Sequence, residues 1–515
     1  MKKIFFFYFF ISIITLNTLV AQDKESKPIE LIHTNYLYSS KKLGKDIQIL
    51  KGQVIVSHIN TTIYCDSAFI DRKKNLMKGF GDVRVIKVSE QDTVLLYCDS
   101  LNYEANKGNT YFAGNVRLYK DTIKLFTSEL KYDFKSDEAI YEKKGKILTK
   151  TDTLISVKGY YNPSKKILAF AQNVVMKSQK YDIYTDSLFH DLNKKISFFF
   201  GKTHIIGDSV DLFTTLGSYD HKYQKAKILK QAQINFKEQQ IFAKSIDYNK
   251  ISGLVFARGN VKIIDTVQRY TLTGEFGKMN KENKQFLIYK NAVLTQYRDK
   301  DTFWLHSDTI FSFIDTLISE YDTFQYRKVL VYHRVKGFQR DLQVKADSVV
   351  YSLLDSTLFL YHQPVLWSDS IQITGNYMEL LTLNRDPYKL IVKDNSFIIE
   401  HTLEDKFNQI KGKDIEIKFK NRQLKEVEVK SDAHAIYYIF QDSMLMAVNK
   451  LSSDTIRIFI NNKKIKSILA IGSPRGRIIP PNQLTPSDEQ LDGFQWYWYF
   501  RPLKPEDIYI WSKKD

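Results

Sequence analysis

A short phrase recurs along this chain: GFGDVRV at residues 79–85, FAGNVRL at 112–118 and FARGNVKI at 256–263. With the glycine of the Gly-Asn/Asp pair as anchor, Gly81, Gly114 and Gly259 are the clear copies. Weaker copies fall at Gly145, Gln172, Gly201, Ala232, Lys290, His333, Gln363, Asp394, Ser431 and Gly472. Their spacings run from 27 to 43 residues, most of them near 30, with the longer ones in the second half. Self-similarity at such a period is the signature of a repeat architecture. Residues two apart on a strand share a face, and the positions two and four from each anchor are apolar in nearly every copy. The resulting wall comprises Val83, Val85, Phe112, Val116, Leu118, Leu168, Phe170, Val174, Met176, Val261, Ile263, Phe286, Ile288, Phe359, Tyr361, Val365 and Trp367. Positions between them, such as Arg84, Arg117, Lys177 and Lys262, suit water. Each unit supplies two or three strands and cannot bury its apolar face alone, so successive units must stack. The fold class predicted is all-β: an elongated β-jellyroll or β-solenoid-like stack of about thirteen repeats.

The second half of each unit reads YCDSAFID, YCDSLNYE, FTSELKYD, YTDSLFHD, FAKSIDYN or VKADSVVYS. An acidic residue recurs at one place in Asp66-Ser67, Asp99-Ser100, Asp186-Ser187 and Asp347-Ser348. A catalytic residue is seldom needed many times over. Short side chains that hydrogen-bond their own backbone at a corner are the expected explanation.

The chain has 515 residues and opens with MKKIFFFYFFISIITLNTLVAQDK, the layout of a secretory signal peptide with cleavage after Ala21. Its apolar run is broken by Ser12, Thr15, Asn17 and Thr18, which makes a membrane anchor the weaker reading. The net charge of +18 would fall to +16 once Lys2 and Lys3 leave with that segment. A basic excess suits nucleic acid or anionic headgroups and sugar phosphates; export argues against nucleic acid. Aromatic content is 14%, and β-branched and aromatic residues crowd into short runs, which favours strands.

The pattern apolar-x-apolar-x-Gly-Asn-Val-x-apolar, followed by Ala/Cys-Asp-x-apolar-x-Tyr, resembles the OstA/LptA family, which includes the periplasmic N-terminal domain of LptD. The matching segments are Phe112 to Val116, Ala257 to Val261, Tyr64 to Phe69 and Tyr97 to Tyr103. The resemblance is clear over about residues 45 to 300 and weaker to 435. It implies an open β-jellyroll of V-shaped strands around an apolar groove that carries acyl chains of lipopolysaccharide across the periplasm. It also implies the partners: lipopolysaccharide or a related glycolipid, an inner-membrane exporter, an outer-membrane translocon, and end-to-end copies of the chain itself. The residues alone leave open whether the apolar wall lines a groove or fills a packed core. A polysaccharide lyase or hydrolase on a β-solenoid is the rival class, and a structural envelope protein with a packed core is another.

The chain therefore divides into a signal peptide (1–21), an N-terminal linker (22–45), an OstA/LptA-like jellyroll (46–300), more divergent repeats (301–470) and a tail (471–515). The tail holds six of the ten prolines and three of the five tryptophans, and reads as a terminal cap or docking segment. The two cysteines, Cys65 and Cys98, hold the same place in adjacent units. If adjacent units stack strand on strand, their Cα atoms fall within disulfide range; two free thiols are the other reading. There is no Gly-rich phosphate loop, no Gly-x-Ser-x-Gly, no His-Glu-x-x-His and no ligand-like spacing among the ten histidines. No enzyme activity, metal or cofactor is expected.

Overall fold

The computed structural model describes residues 27–39, 44–89, 92–179, 181–208, 210–297, 301–319, 322–383, 386–403, 405–421, 423–461 and 464–511. The signal-peptide segment lies outside the described residues. Among them are 36 strands, all paired antiparallel. No helix among them is long and apolar enough to cross a membrane.

Sequence neighbours pair with neighbours. Ile47–His58 pairs with Thr61–Asp71, then come Leu76–Val88, Thr93–Glu104, Asn109–Lys120 and Ile123–Asp133 in turn. Alternation of β-branched and aromatic residues with polar ones makes these strands, and short acids stop them. Asp71 accepts a hydrogen bond from the backbone N–H of Lys74 at 3.0 Å, Asp133 from that of Lys135 at 2.7 Å, and Asp220 from that of Lys222 at 2.9 Å. These Asx turns are the true corners. The span read as a linker also contributes strands: Glu30–His33 and Tyr36–Tyr38 both pair with Ile47–His58.

The chain forms two compact units. Unit 1 runs to Asp182 and takes in Ser187–Asn193; unit 2 comprises Ile183–Asp186 and the chain from Lys194 onward.

In both units most of the anchors are β-bulges, whereas Gly145 and Ala232 are not left-handed and begin short strands. Gly81-Asp82, Gly114-Asn115, Gln172-Asn173, Gly259-Asn260, Lys290-Asn291, His333-Arg334, Asp394-Asn395 and Ser431-Asp432 are all pairs of consecutive residues with positive φ. Seven of them lie where the strand register shifts, and Gln172-Asn173 lies where its strand passes from pairing with Lys158–Asn162 to pairing with Thr153–Ser156. An extra residue bends the strand there, and the buried faces of its two halves turn toward one another. A Cβ added to Gly79 in one half would stand 3.3 Å from Cys65 Sγ in the other.

The recurrent mid-strand acid belongs to this bend and not to a corner. A Cβ on Gly81 would lie 2.3 Å from Asp66 Oδ2, and one on Gly114 would lie 2.2 Å from Asp99 Oδ2. Both glycines also have φ near +75°, at 74° and 77°, a region that penalises side chains. Asp99 accepts a bond from Asn115 Nδ2 at 3.0 Å, and Asp186 one from the backbone N–H of Lys202 at 2.9 Å. The acid therefore ties its strand to the bulge of the next one, correcting the expectation of a bond to its own backbone.

Later in unit 2 the glycine changes sides. Lys290, Asp394 and Ser431 occupy the bulge, and Gly274, Gly375 and Gly412 face it. A Cβ there would stand 2.4–2.5 Å from Ile288, Val392 and Val429 respectively. At these three bends the facing strand supplies the residue without a side chain.

From Pro480 the chain turns back across unit 2 and lies along the outer face of strands it has already formed. Asp488 meets Lys450 and Arg477 at 3.3 and 2.8 Å. Gln409 donates to the Glu489 carbonyl at 2.7 Å and accepts from the Leu491 N–H at 2.8 Å. Gln372 does the same with Gln495 and Tyr497, both at 2.7 Å. Arg501 donates to Gln343 at 2.7 Å, and Lys336 reaches the Ile510 carbonyl. Two glutamines thus pinch the tail backbone as a neighbouring strand would. The tail, expected as a terminal cap or docking segment, lies as a strap over a sheet face.

Candidate functional site

The interior enclosed by the bent strands is the candidate site, and it differs along the chain. In unit 1 it is filled. Val83, Val85, Phe112, Val116, Leu118, Phe170 and Val174 are buried, while Leu168 and Met176 are half-buried. Phe134 meets the rings of Tyr103, Phe112 and Tyr132 edge-on at 5.8, 6.3 and 5.0 Å. Tyr141 occupies the space between Gly145 and Gly159, where added Cβ atoms would lie 2.5 and 2.2 Å from its ring.

Polar groups latch the two halves together in unit 1. Lys87, at the far end of its strand, donates to the Phe134 carbonyl at 2.7 Å and to Asp137 at 2.6 Å. Tyr132 donates to the same carboxylate at 2.7 Å. Burial alone would raise the Asp137 carboxyl, but hydrogen bonds from Lys87 and Tyr132 and the charges of Lys87 and Lys120 outweigh it. The group is held below the ordinary carboxylate range. His58 pairs with the Tyr103 hydroxyl and with the Lys27 carbonyl, and burial pushes its imidazole down.

In unit 2 one apolar cluster runs from Leu212 to Ile458 and takes in Val261, Ile263 and Ile288, with Phe286 half-buried against it. Toward the last strands the half-sheets part around an apolar cleft of about 90 Å³. Ile371, Ile373, Ile398 and Ile410 line one wall; Leu424, Val427, Ile456, Ile458, Ile460, Ile465 and Ile468 line the other. Glu400, Asn408 and Tyr437 add polar atoms to the lining.

Four expected wall residues sit elsewhere. Leu358, Leu360 and Leu366 face the interior cluster, so their neighbours Phe359, Tyr361, Val365 and Trp367 point the other way. Phe359 and Tyr361 pack on the Tyr377 ring at 6.5 and 5.1 Å. Trp367 is fully buried beneath the strap, its Nε1 3.3 Å from Gln372 Oε1. The left-handed pair here is His362-Gln363, one residue before the assigned frame, and a one-residue slip turns every side chain over. The cleft isoleucines went unassigned, although Ile371-x-Ile373 and Ile456-x-Ile458-x-Ile460 carry the period-two signal.

Cys65 and Cys98 are both free and buried. The strand Leu76–Val88 lies between theirs, so one repeat is two strands deep, about 10 Å, and beyond disulfide reach. Burial pushes the thiols up to about 11 and about 12. Among the described residues no group of His, Cys, Asp and Glu is arranged to hold a metal ion.

No curated protein matches the chain. Among solved structures, LptH, the LptA homologous periplasmic component of the lipopolysaccharide transport device from Pseudomonas aeruginosa, is similar at 13% identity. That alignment covers 21% of this chain and 76% of that one, with a TM-score of 0.19. The family described as OstA-like protein matches over residues 26–186 and 188–308, which is more than half of the chain. The span takes in the Gly81-Asp82, Gly114-Asn115 and Gly259-Asn260 bulges, and on that match the chain belongs to the OstA-like protein family.

Proposed function

We propose that this protein carries a lipopolysaccharide-like glycolipid through the periplasm toward the outer membrane, with the acyl chains sheltered between the half-sheets and the glycan in water. The observation that carries this reading is the unbroken apolar interior of unit 2, which runs from Leu212 to Ile458 and ends in a cleft between two facing walls. Membership of the OstA-like family supports it. Burial of apolar surface is worth about 25 cal/mol per Å², so even part of one acyl chain in such a cleft gains several kcal/mol. An inner-membrane exporter and an outer-membrane translocon are the partners this role requires. Binding without chemical change is the expected activity. Incubating the full-length protein with rough lipopolysaccharide, followed by gel filtration and fatty-acid analysis of the protein peak, tests the reading. Stoichiometric 3-hydroxy fatty acids are expected; a lipid-free peak at saturating lipopolysaccharide overturns it.

A further inference from the structure

We infer that the lipid site is confined to the cleft at the end of unit 2, that it takes hydrocarbon chain through the end formed by the last strands, and that the interior of unit 1 takes none. This rests on the proposed carrier function and restricts it.

Three observations converge. First, unit 1 has no vacant place for a chain at its aromatic rungs: Tyr103, Phe112 and Tyr132 are 0–3% exposed and close on Phe134. The Lys87–Asp137 and His58–Tyr103 pairs join its halves, so admitting a chain there would strip buried polar groups of their partners. Second, the interior changes chemistry toward the last strands. The cleft is lined by branched aliphatics, and its outermost members, Ile465 and Ile468, are 36% and 38% exposed, so the apolar wall continues out to solvent. Third, the described stretch next to this end, residues 465–480, carries Lys466, Arg475 and Arg477 and no carboxylate of its own, and of these Arg477 is paired with Asp488 of the strap. A hydrocarbon slot next to a segment with a net basic charge fits an amphiphile with an anionic headgroup, whose phosphate would meet Lys466 and Arg475 while its chain enters between Ile398 and Ile458.

The test uses the full-length protein with a benzophenone side chain in place of Ile398, Ile458, Leu101 or Phe112, irradiated with rough lipopolysaccharide. Adducts are expected from positions 398 and 458, with yields at 101 and 112 at least tenfold lower. Ile458→Trp, which fills the slot, should weaken lipopolysaccharide binding at least tenfold while leaving the far-ultraviolet circular dichroism unchanged. Equal adducts from all four positions would overturn the restriction and leave the carrier function standing. Absence of adducts at every position, together with a lipid-free gel-filtration peak, would overturn both. If Ile458→Trp loses its fold, Ile468→Trp at the solvent-facing end reads the same blockade.

Discussion

The rungs of unit 1 and the last rungs of unit 2 are built from one repeat and stabilise themselves differently. Unit 1 buries one face of its strands. Its interior is closed by aromatic rings and buried ion pairs, and outer-face residues such as Arg84 and Arg117 stay in water over Tyr64 and Tyr97. The last rungs bury both faces. Phe397, Ile399, Ile436, Tyr438 and Val448 form a separate cluster with Leu491, Phe494 and Trp496 of the strap, while Ile398 and Ile458 face inward. A sheet packed on its outer face no longer depends on a filled interior, which is how an aliphatic cleft can persist where the strap lies. The strap therefore acts as the structural counterpart of the aromatic plug.

Removing the strap should have the largest effect. Deleting residues 486–511 removes the hydrogen bonds that Gln372, Gln409 and Lys336 make to the strap, at about 0.5–1.5 kcal/mol each, and uncovers the outer aromatics. Hydrogen exchange should show lost protection across Phe407–Lys420 and Met444–Asn461, with the strands of unit 1 unchanged. Equal loss in both units would break the comparison. Next comes the filling of the interior. Tyr141→Ala should cost about 3–5 kcal/mol through the cavity it leaves, whereas Ile468→Ala, already on the open end, should cost under about 1 kcal/mol. Urea titration of each variant measures the contrast.

Much of this architecture could be read from alternation around the anchors. Gly81, Gly114, Lys290 and Asp394 are all first residues of left-handed pairs, because a bulge interrupts the period-two pattern wherever it occurs, with or without glycine. Gly52-Gln53 is a further such pair that the anchor series did not include. What local pattern cannot reveal is frame and depth. Around His362-Gln363 both faces are apolar because the strap covers the outer one, so alternation lost its contrast and Trp367 was assigned to the wrong side. The cysteine pairing failed for a related reason: Cys65 and Cys98 are equivalent in sequence, and only the hairpin between them shows that a repeat is two strands deep. Several of the strap's bonds join residues 80 or more positions apart, as in Gln409 with Glu489 and Gln372 with Tyr497, and no local signal announces them.

A smaller effect sharpens the comparison at the bends. Gly114→Ala, which drives a Cβ into Asp99 at positive φ, should destabilise by about 1–3 kcal/mol. Gly412→Ala, on the strand facing the bulge, should cost a similar amount by pressing on Val429. Asp394→Gly, which relieves a left-handed aspartate, should be neutral or stabilising by under about 1 kcal/mol. A large loss for Asp394→Gly would mean that its side chain, and not the facing Gly375, sets that bend.

The smallest and most discriminating effect is in mild alkali, where the two regions should respond with opposite sign. Burial lowers the Lys336 ammonium to about 8, with Lys345 adding to the shift, against about 10.4 in an unfolded chain. Between those values the unfolded state binds more protons, so the strapped region gains stability as pH rises from 8 toward 10. Cys65 and Cys98 are shifted the other way, to about 11 and about 12, against about 8.5 unfolded. Over the same range the unfolded thiols ionise first, the native state holds more protons, and unit 1 loses stability. The chain carries its own reporters: all five tryptophans, residues 304, 367, 496, 498 and 511, belong to unit 2, and both cysteines to unit 1. The urea midpoint followed by tryptophan fluorescence should rise from pH 8 to pH 9.5, and that followed by thiol exposure should fall. Lys336→Met should flatten the first trend alone, and Cys65→Ala with Cys98→Ala the second alone. Trends of the same sign in both probes would mean that strap and plug are not separate means of stabilising one repeat.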